Sequence, residues 1–183
     1  MDIAATLIPG VLVIVPRRFA DRRGFFSETF SAKAFAEAGL PTNFVQDNHS
    51  LSRRRGTIRG LHFQIPPFAQ DKLVRVVRGA VLDVAVDLRR TSPTRGQSVI
   101  VEVSARAWNQ LFIPVGFAHG FCTLEDDTEV VYKVNNHYSP EHDRGLAWDD
   151  PALGIAWPVS LGDAILSDKD KFFPLLKDLP DYF

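Results

Sequence analysis

The sequence predicts an all-β fold, a double-sheet jelly roll with one short helix near the N-terminus and a less regular C-terminal segment. Three observations carry that expectation. Short runs of β-branched and aromatic residues recur at spacings of about ten residues, glycine and proline mark their ends, and helical periodicity is almost absent. No repeat and no low-complexity linker divides the chain, so 1–183 is expected to form a single domain.

Gly10 and Pro16 enclose Val11-Leu12-Val13-Ile14-Val15, a run too short for a stable helix and rich in β-branched residues, hence a buried strand. Residues 17–24 are polar and basic and read as a loop that delivers arginines beside a strand over 25–30. Ser31 is placed to cap a helix over 32–38, stopped by Gly39 with Pro41 beyond it. Residues 44–50 turn from apolar to polar, as a strand leaving the core at the mouth of a pocket does, and Gln46, Asn48 and His49 are its candidate lining. The run Arg53-Arg54-Arg55-Gly56 reads as a solvated turn.

Arg59-Gly60-Leu61-His62-Phe63-Gln64 follows as a strand. Strict alternation puts His62 and Gln64 on one face and Arg59, Leu61 and Phe63 on the other, so Arg59 shares a site with His62 only if Gly60 bends the strand. Residues 72–87 carry two strand patterns about a turn near Arg78-Gly79 and read as a hairpin. Thr91-Ser92-Pro93-Thr94 is a turn, and further strands are expected near 97–103, 109–113, 121–124 and 129–134, with 114–120 interrupting the pattern. Beyond Tyr138 the chain offers less regular structure, with Trp148 and Trp157 available to cover the core.

Composition excludes several classes of function. Of the 183 residues 45% are hydrophobic and 23% charged, a globular balance that argues against disorder. A net charge of −1 gives no global reason to bind nucleic acid or an acidic membrane, so any anion site must be local. Cys122 is the single cysteine and allows no intramolecular disulfide; without a secretory leader pattern or a membrane-length apolar run, the expected compartment is the cytoplasm.

The spacing Pro114-x-Gly116-x-x-His119 resembles the second box of cupins. Metal-binding cupins add a His-x-His pair and a glutamate, whereas here His62 is followed by Phe63 and Gln64. His62 and His119 are only two clear donors even if His49 is a conceivable third, so no metal and no other cofactor is expected.

A more specific resemblance spans about residues 10–176. Its marks are Arg22-Arg23-Gly24-Phe25-Phe26, residues 44–50, Arg59 to Gln64, Gln70-Asp71-Lys72-Leu73-Val74-Arg75, residues 114–121, Tyr132-Lys133, Tyr138-Ser139-Pro140 and Lys169-Asp170. In this order they resemble the dTDP-4-dehydrorhamnose 3,5-epimerase family of cupin-like nucleotide-sugar enzymes. The resemblance implies cofactor-free epimerisation of a dTDP-4-keto-6-deoxy sugar through an enolate. By the same resemblance His62 is the base, Asp170 its partner, Tyr132 the opposed acid and Lys72 the cation beside the enolate oxygen. Arg23 and Arg59 would hold the diphosphate, while Glu28, Gln46, Asn48 and His119 would surround the substrate. Tyr138 would stack on the thymine, with Asp143 and Lys169 contributing.

Two other readings stay open on the residues alone. One is an epimerase of a single carbon, or a ketoisomerase, using the same dyad; the other is a non-catalytic cupin that binds a nucleotide sugar. The resemblance further implies a homodimer, with Arg23 and Glu28 serving their own or the partner's pocket, and the charge balance gives no reason to expect a nucleic-acid or membrane partner.

Overall fold

A computed structural model describes residues 1–183. Its strands are β1 (Asp2–Ala5), β2 (Leu12–Val15), β3 (Phe19–Asp21), β4 (Gly24–Phe26), β5 (Gln46–Ser52), β6 (Ile58–Gln64), β7 (Lys72–Arg78), β8 (Ala80–Asp87), β9 (Ser98–Ser104), β10 (Gln110–Ile113), β11 (Phe117–Thr123), β12 (Thr128–Val134) and β13 (Asp143–Gly145). They form a six-stranded sheet ordered β1-β2-β10-β7-β12-β5 and a five-stranded sheet ordered β13-β6-β11-β8-β9, with β3 and β4 as a separate hairpin. The two larger sheets pack face to face as a jelly roll, the predicted class.

Between the sheets lies a core of Val74, Val76, Leu111, Ile113 and Val130 from one side and Val81, Ala85, Val99, Val103, Phe117 and Phe121 from the other. The six-stranded sheet is covered outside by the one α-helix, α1 (Ala32–Glu37), whose Phe35 is buried with Ile14, Leu73 and Phe112. Ser31 Oγ accepts the Ala34 N–H at 3.4 Å, and Gly39 follows with φ +71°, so the predicted cap and stop are both present. Outside the five-stranded sheet, Leu61, Phe63, Val84, Val86 and Ala118 meet Leu153, Trp157, Leu176, Tyr182 and Phe183 of the C-terminal segment. That segment contains three short 3₁₀ turns, and Trp148 is buried beside Trp157, whose indole N–H donates to the Trp148 carbonyl at 2.8 Å.

Four local expectations are corrected. The two strands about Gly79 are not a hairpin: β7 pairs with β10 and β12, while β8 pairs with β11 and β9. Only Gly79 separates them, fewer residues than a two-residue hairpin loop needs, and its φ of +78° turns the chain from one sheet into the other. The loop expected over 17–24 contains β3 and the start of β4, a β-hairpin, and the strand expected over 25–30 ends at Phe26. The break expected over 114–120 is shorter, because β11 begins at Phe117 and takes His119 into a sheet. Strands β1 and β13 were not expected; both are only three or four residues long, too short for a pattern of alternation to register.

Candidate active site

A cavity of about 510 Å³ opens between the two sheets at one end of the core. Arg59, His62, Gln64, His119 and Asp143 line it from the five-stranded sheet, and Gln46, Asn48, Lys72 and Tyr132 from the six-stranded sheet. Tyr138, Lys169 and Asp170 close it from the loops. Eleven of the thirteen residues singled out as the catalytic and binding set therefore meet in one place.

Arg59 and His62 share the cavity because alternation fails between them. On β11 the partners of His62 and Arg59 are His119 and Phe121, two positions apart, whereas the pair itself is three apart. The extra residue is a bulge at Gly60, which has φ +127° and sits against Gly120. Leu61 and Phe63 keep to the outer face, while Arg59 and His62 both point inward. Arg59 is held by Nε–H to Ser52 Oγ at 3.1 Å and by Nη2 to the Leu51 carbonyl at 3.0 Å.

Each cavity histidine is backed by a buried aspartate. His62 Nε2 lies 2.7 Å from Asp170 Oδ1, and the Gly60 N–H donates to Oδ2 at 3.3 Å. Burial pushes the Asp170 carboxyl up, but the hydrogen bond and charge of His62, with the Gly60 N–H, outweigh it and hold the pKa below the ordinary value. His119, the cross-strand neighbour of His62, places Nε2 2.9 Å from Oδ1 of the fully buried Asp83, whose Oδ2 has no partner. Burial lowers the His119 pKa against the raising effect of Asp83. Lys72 donates from Nζ to the His62 carbonyl at 3.2 Å; burial pushes its pKa down to about 8, with Asp143 and Asp83 opposing.

Tyr132 projects from β12 across the cavity from the five-stranded sheet, and burial raises its pKa, with Arg59 opposing. Tyr138 stands exposed at the rim. Its backbone N–H donates to Gln46 Oε1 at 3.2 Å and its hydroxyl to Asp143 Oδ2 at 3.1 Å, an oxygen that Lys169 also contacts. Gln46 Nε2 donates to Asn48 Oδ1 at 2.8 Å, tying the two β5 residues into the same network.

Three sequence-selected residues lie elsewhere. His49 does not line this cavity: it alternates with Gln46 and Asn48 on β5, faces the outer side of the sheet and binds Glu129 at 3.0 Å. Arg23 is on the β3–β4 hairpin, paired with Asp21 at 2.7 Å, and Glu28 is exposed just beyond it. Two contributors were missed. Asp83 lies in an apolar strand with nothing local to mark it, and Gln64, though within the recognised motif, had no role assigned. Its side chain fastens the 137–139 loop, donating to the His137 carbonyl at 3.0 Å and accepting from the Ser139 N–H at 2.7 Å.

No cluster of three or more His, Cys, Asp or Glu side chains has the arrangement of a metal site. What the cavity does present is an aspartate-backed imidazole on one sheet, and a phenol with a buried cation on the other. Cationic and amide side chains surround them. Such a site can move a proton at one face of a bound carbonyl compound and return one at the other.

Comparison with known proteins gives named relatives. Residues 5–178 match the family model described as dTDP-4-dehydrorhamnose 3,5-epimerase. A relative of that name from Sinorhizobium fredii is 54% identical over 176 residues, covering 96% of this chain and 90% of the relative. A dTDP-4-dehydrorhamnose 3,5-epimerase from Bacillus anthracis, solved with TDP and PPi bound, superposes with a TM-score of 0.92 at 49% identity, covering 95% of this chain and 98% of its own. The dTDP-6-deoxy-D-glucose-3,5-epimerase of Legionella pneumophila, solved in complex with dTDP-4-keto-L-rhamnose, gives 0.92 at 43% identity, covering 98% and 94%.

Proposed function

Because the chain belongs to the dTDP-4-dehydrorhamnose 3,5-epimerase family, we propose that it is the isomerase that inverts carbons 3 and 5 of dTDP-4-dehydro-6-deoxy-D-glucose. The product is dTDP-4-dehydro-L-rhamnose, an intermediate of dTDP-L-rhamnose biosynthesis. The observation that carries this reading is the opposition of His62, held by Asp170, to Tyr132 and Lys72 across one cavity.

A C–H beside the 4-keto group is weakly acidic because its electron pair delocalises into the carbonyl. With Nε2–H of His62 donated to Asp170, Nδ1 is the nitrogen left to take that proton, and the carboxylate stabilises the imidazolium that results. Negative charge then collects on the 4-oxygen. Lys72, held over β6, supplies the positive charge there, which binds the enolate more tightly than the ketone. Tyr132 returns a proton to the opposite face of the carbon, and solvent restores both side chains. The same cycle at the second carbon gives the doubly inverted sugar.

Arg59 is held at the cavity wall to engage the diphosphate, and Tyr138, tied to Gln46 and Asp143, to stack on thymine. Arg23 and Glu28 act in the pocket of a second subunit of a homodimer; their exposure outside their own cavity, beside the exposed Phe19, Phe25 and Phe26, supports this. Cytoplasmic residence fits the nucleotide-sugar substrate, and no helix is long and apolar enough to cross a membrane.

Incubation with the 4-keto sugar nucleotide in deuterated water tests the reading. Deuterium should enter at both carbon 3 and carbon 5. Label at one carbon only would assign a single-carbon epimerase, and no label would overturn the proposal.

A further inference from the structure

Four residues lie in register across the inner face of the five-stranded sheet: Ala85, His119, His62 and Gly145, on β8, β11, β6 and β13. His119 flanks His62 on one side. On the other, Gly145 has no side chain, and its place is taken by Phe173. A Cβ built on Gly145 would run into the Phe173 ring. That ring meets the His62 imidazole edge to face, with centroids 5.6 Å apart and an interplanar angle of 81°.

Phe173 arrives from the C-terminal segment. It closes the 3₁₀ turn Lys169–Phe172, which carries Asp170, and the Pro174 carbonyl just after it accepts the Ala147 N–H at 2.8 Å. The adjacent Phe172 is 83% exposed, so the turn sends one of two consecutive phenylalanines inward. Phe173 is not among the residues that line the cavity.

Resting on the reading of His62 as base, we propose that Phe173, seated in the space that Gly145 leaves, is a positioning residue for the His62–Asp170 pair. The ring blocks rotation of the imidazole away from Asp170, keeps water from the side of their hydrogen bond, and fixes the turn that presents the carboxylate. Gly145 is required because any larger residue expels the ring. A flat aromatic edge suits this task, since it stops an imidazole without offering a competing hydrogen bond.

The test is a double-mutant cycle on the full-length enzyme. Phe173→Ala and Gly145→Ala should each lower kcat by about tenfold or more, since small displacements of a proton-transfer group are costly, with KM for the dTDP-sugar within about twofold. Gly145→Ala should add little to Phe173→Ala, because the ring it would displace is already gone; Phe173→Leu, which refills the space, should recover part of the rate. In parallel, the downfield N–H proton of the His62–Asp170 hydrogen bond, assigned by its absence in His62→Asn, should be visible by proton NMR in the parent and broadened in Phe173→Ala. Losses that multiply in the double variant, or an N–H signal unchanged in Phe173→Ala, would overturn the proposal. Turnover by His62→Asn would instead overturn the base assignment, while the N–H signal would still report on the ring's hold.

Discussion

Asp170 Oδ1 sits 2.7 Å from Nε2 of His62, although 108 residues separate them in the chain. The aspartate is buried while the imidazole keeps 34% of its side-chain surface, so one end of the pair is fixed in protein and the other is presented to the cavity. The carboxylate therefore determines which nitrogen is free and where it points.

Asp170→Asn keeps the shape but removes the charge that, on the proposed reading, stabilises the imidazolium and favours the working tautomer. Turnover should fall by roughly 10²–10⁴-fold with substrate affinity nearly intact. Steady-state kinetics together with calorimetric binding of dTDP separate the two effects. An equal loss in binding would count against an orienting role.

On the proposed reading, Tyr132→Phe leaves the base, His62, in place and removes the opposed proton donor. Deuterium should still wash into the substrate from the His62 side, while formation of inverted sugar falls by about 10²-fold or more. Mass spectrometry of recovered substrate and chromatographic assay of product read the two events separately. Loss of wash-in together with inversion would place the base on the Tyr132 side.

Lys72 has a pKa near 8, below the ordinary 10.5, because burial disfavours its charge. Its cationic form dominates below that value and disappears above it, so kcat/KM should decline as pH rises through about 8. Asp83 is one of the two carboxylates that hold this pKa up, so Asp83→Asn should move the alkaline limb to lower pH. A pH–rate profile of each enzyme gives the answer.

Gly60→Ala would place a Cβ 2.6 Å from Gly120 Cα and 2.8 Å from the His119 carbonyl oxygen, at a φ of +127° that alanine resists. Backbone strain and overpacking together should cost about 2–5 kcal/mol in denaturant unfolding. Residual folded protein should bind dTDP more weakly, because the bulge is what brings Arg59 to the cavity.

Asp87 is fully buried, where burial pushes its carboxyl up, but hydrogen bonds from Arg89, Ser92 and Thr94 prevail and hold its pKa at about 2, below the ordinary 3.8. Its contribution to stability is therefore complete above pH 3.8 and is lost as pH falls through about 2. Asp87→Ala strands Arg89 and should destabilise the fold by about 3–5 kcal/mol at neutral pH, with a shallower decline between pH 4 and pH 2. Thermal unfolding across pH measures both.

Strand identity was legible in the sequence because one buried face imposes alternation, as in β5, where Gln46, Asn48 and Ser50 face the cavity and Asp47 and His49 do not. That same rule should have excluded His49, whose company in a polar run outweighed its phase. Pairing was harder to see. β7 and β8 carry apolar residues on both faces, so nothing in either strand says that they belong to different sheets. The bend at Gly60 was foreseeable only because Arg59 and His62 had to meet. Asp83 gave no local signal at all, since a lone aspartate in an apolar strand acquires meaning only when the sheet sets it beside His119.

The chain crosses from the five-stranded to the six-stranded sheet over residues 65–71 and returns at Gly79. Lys72 and Tyr132 stand on one wall and His62 on the other, so the spacing of the two sheets sets how closely their side chains approach a group held between them. Packed sheets lie about 10 Å apart, and side chains such as Val76, Val81, Val130 and Phe121 hold that spacing. The greasy interior would thus act as a caliper for the proposed reaction. On the proposed reading, thinning or thickening it by a methylene should change the two transfer distances, from carbon to His62 and from Tyr132 to carbon, before it unfolds the protein.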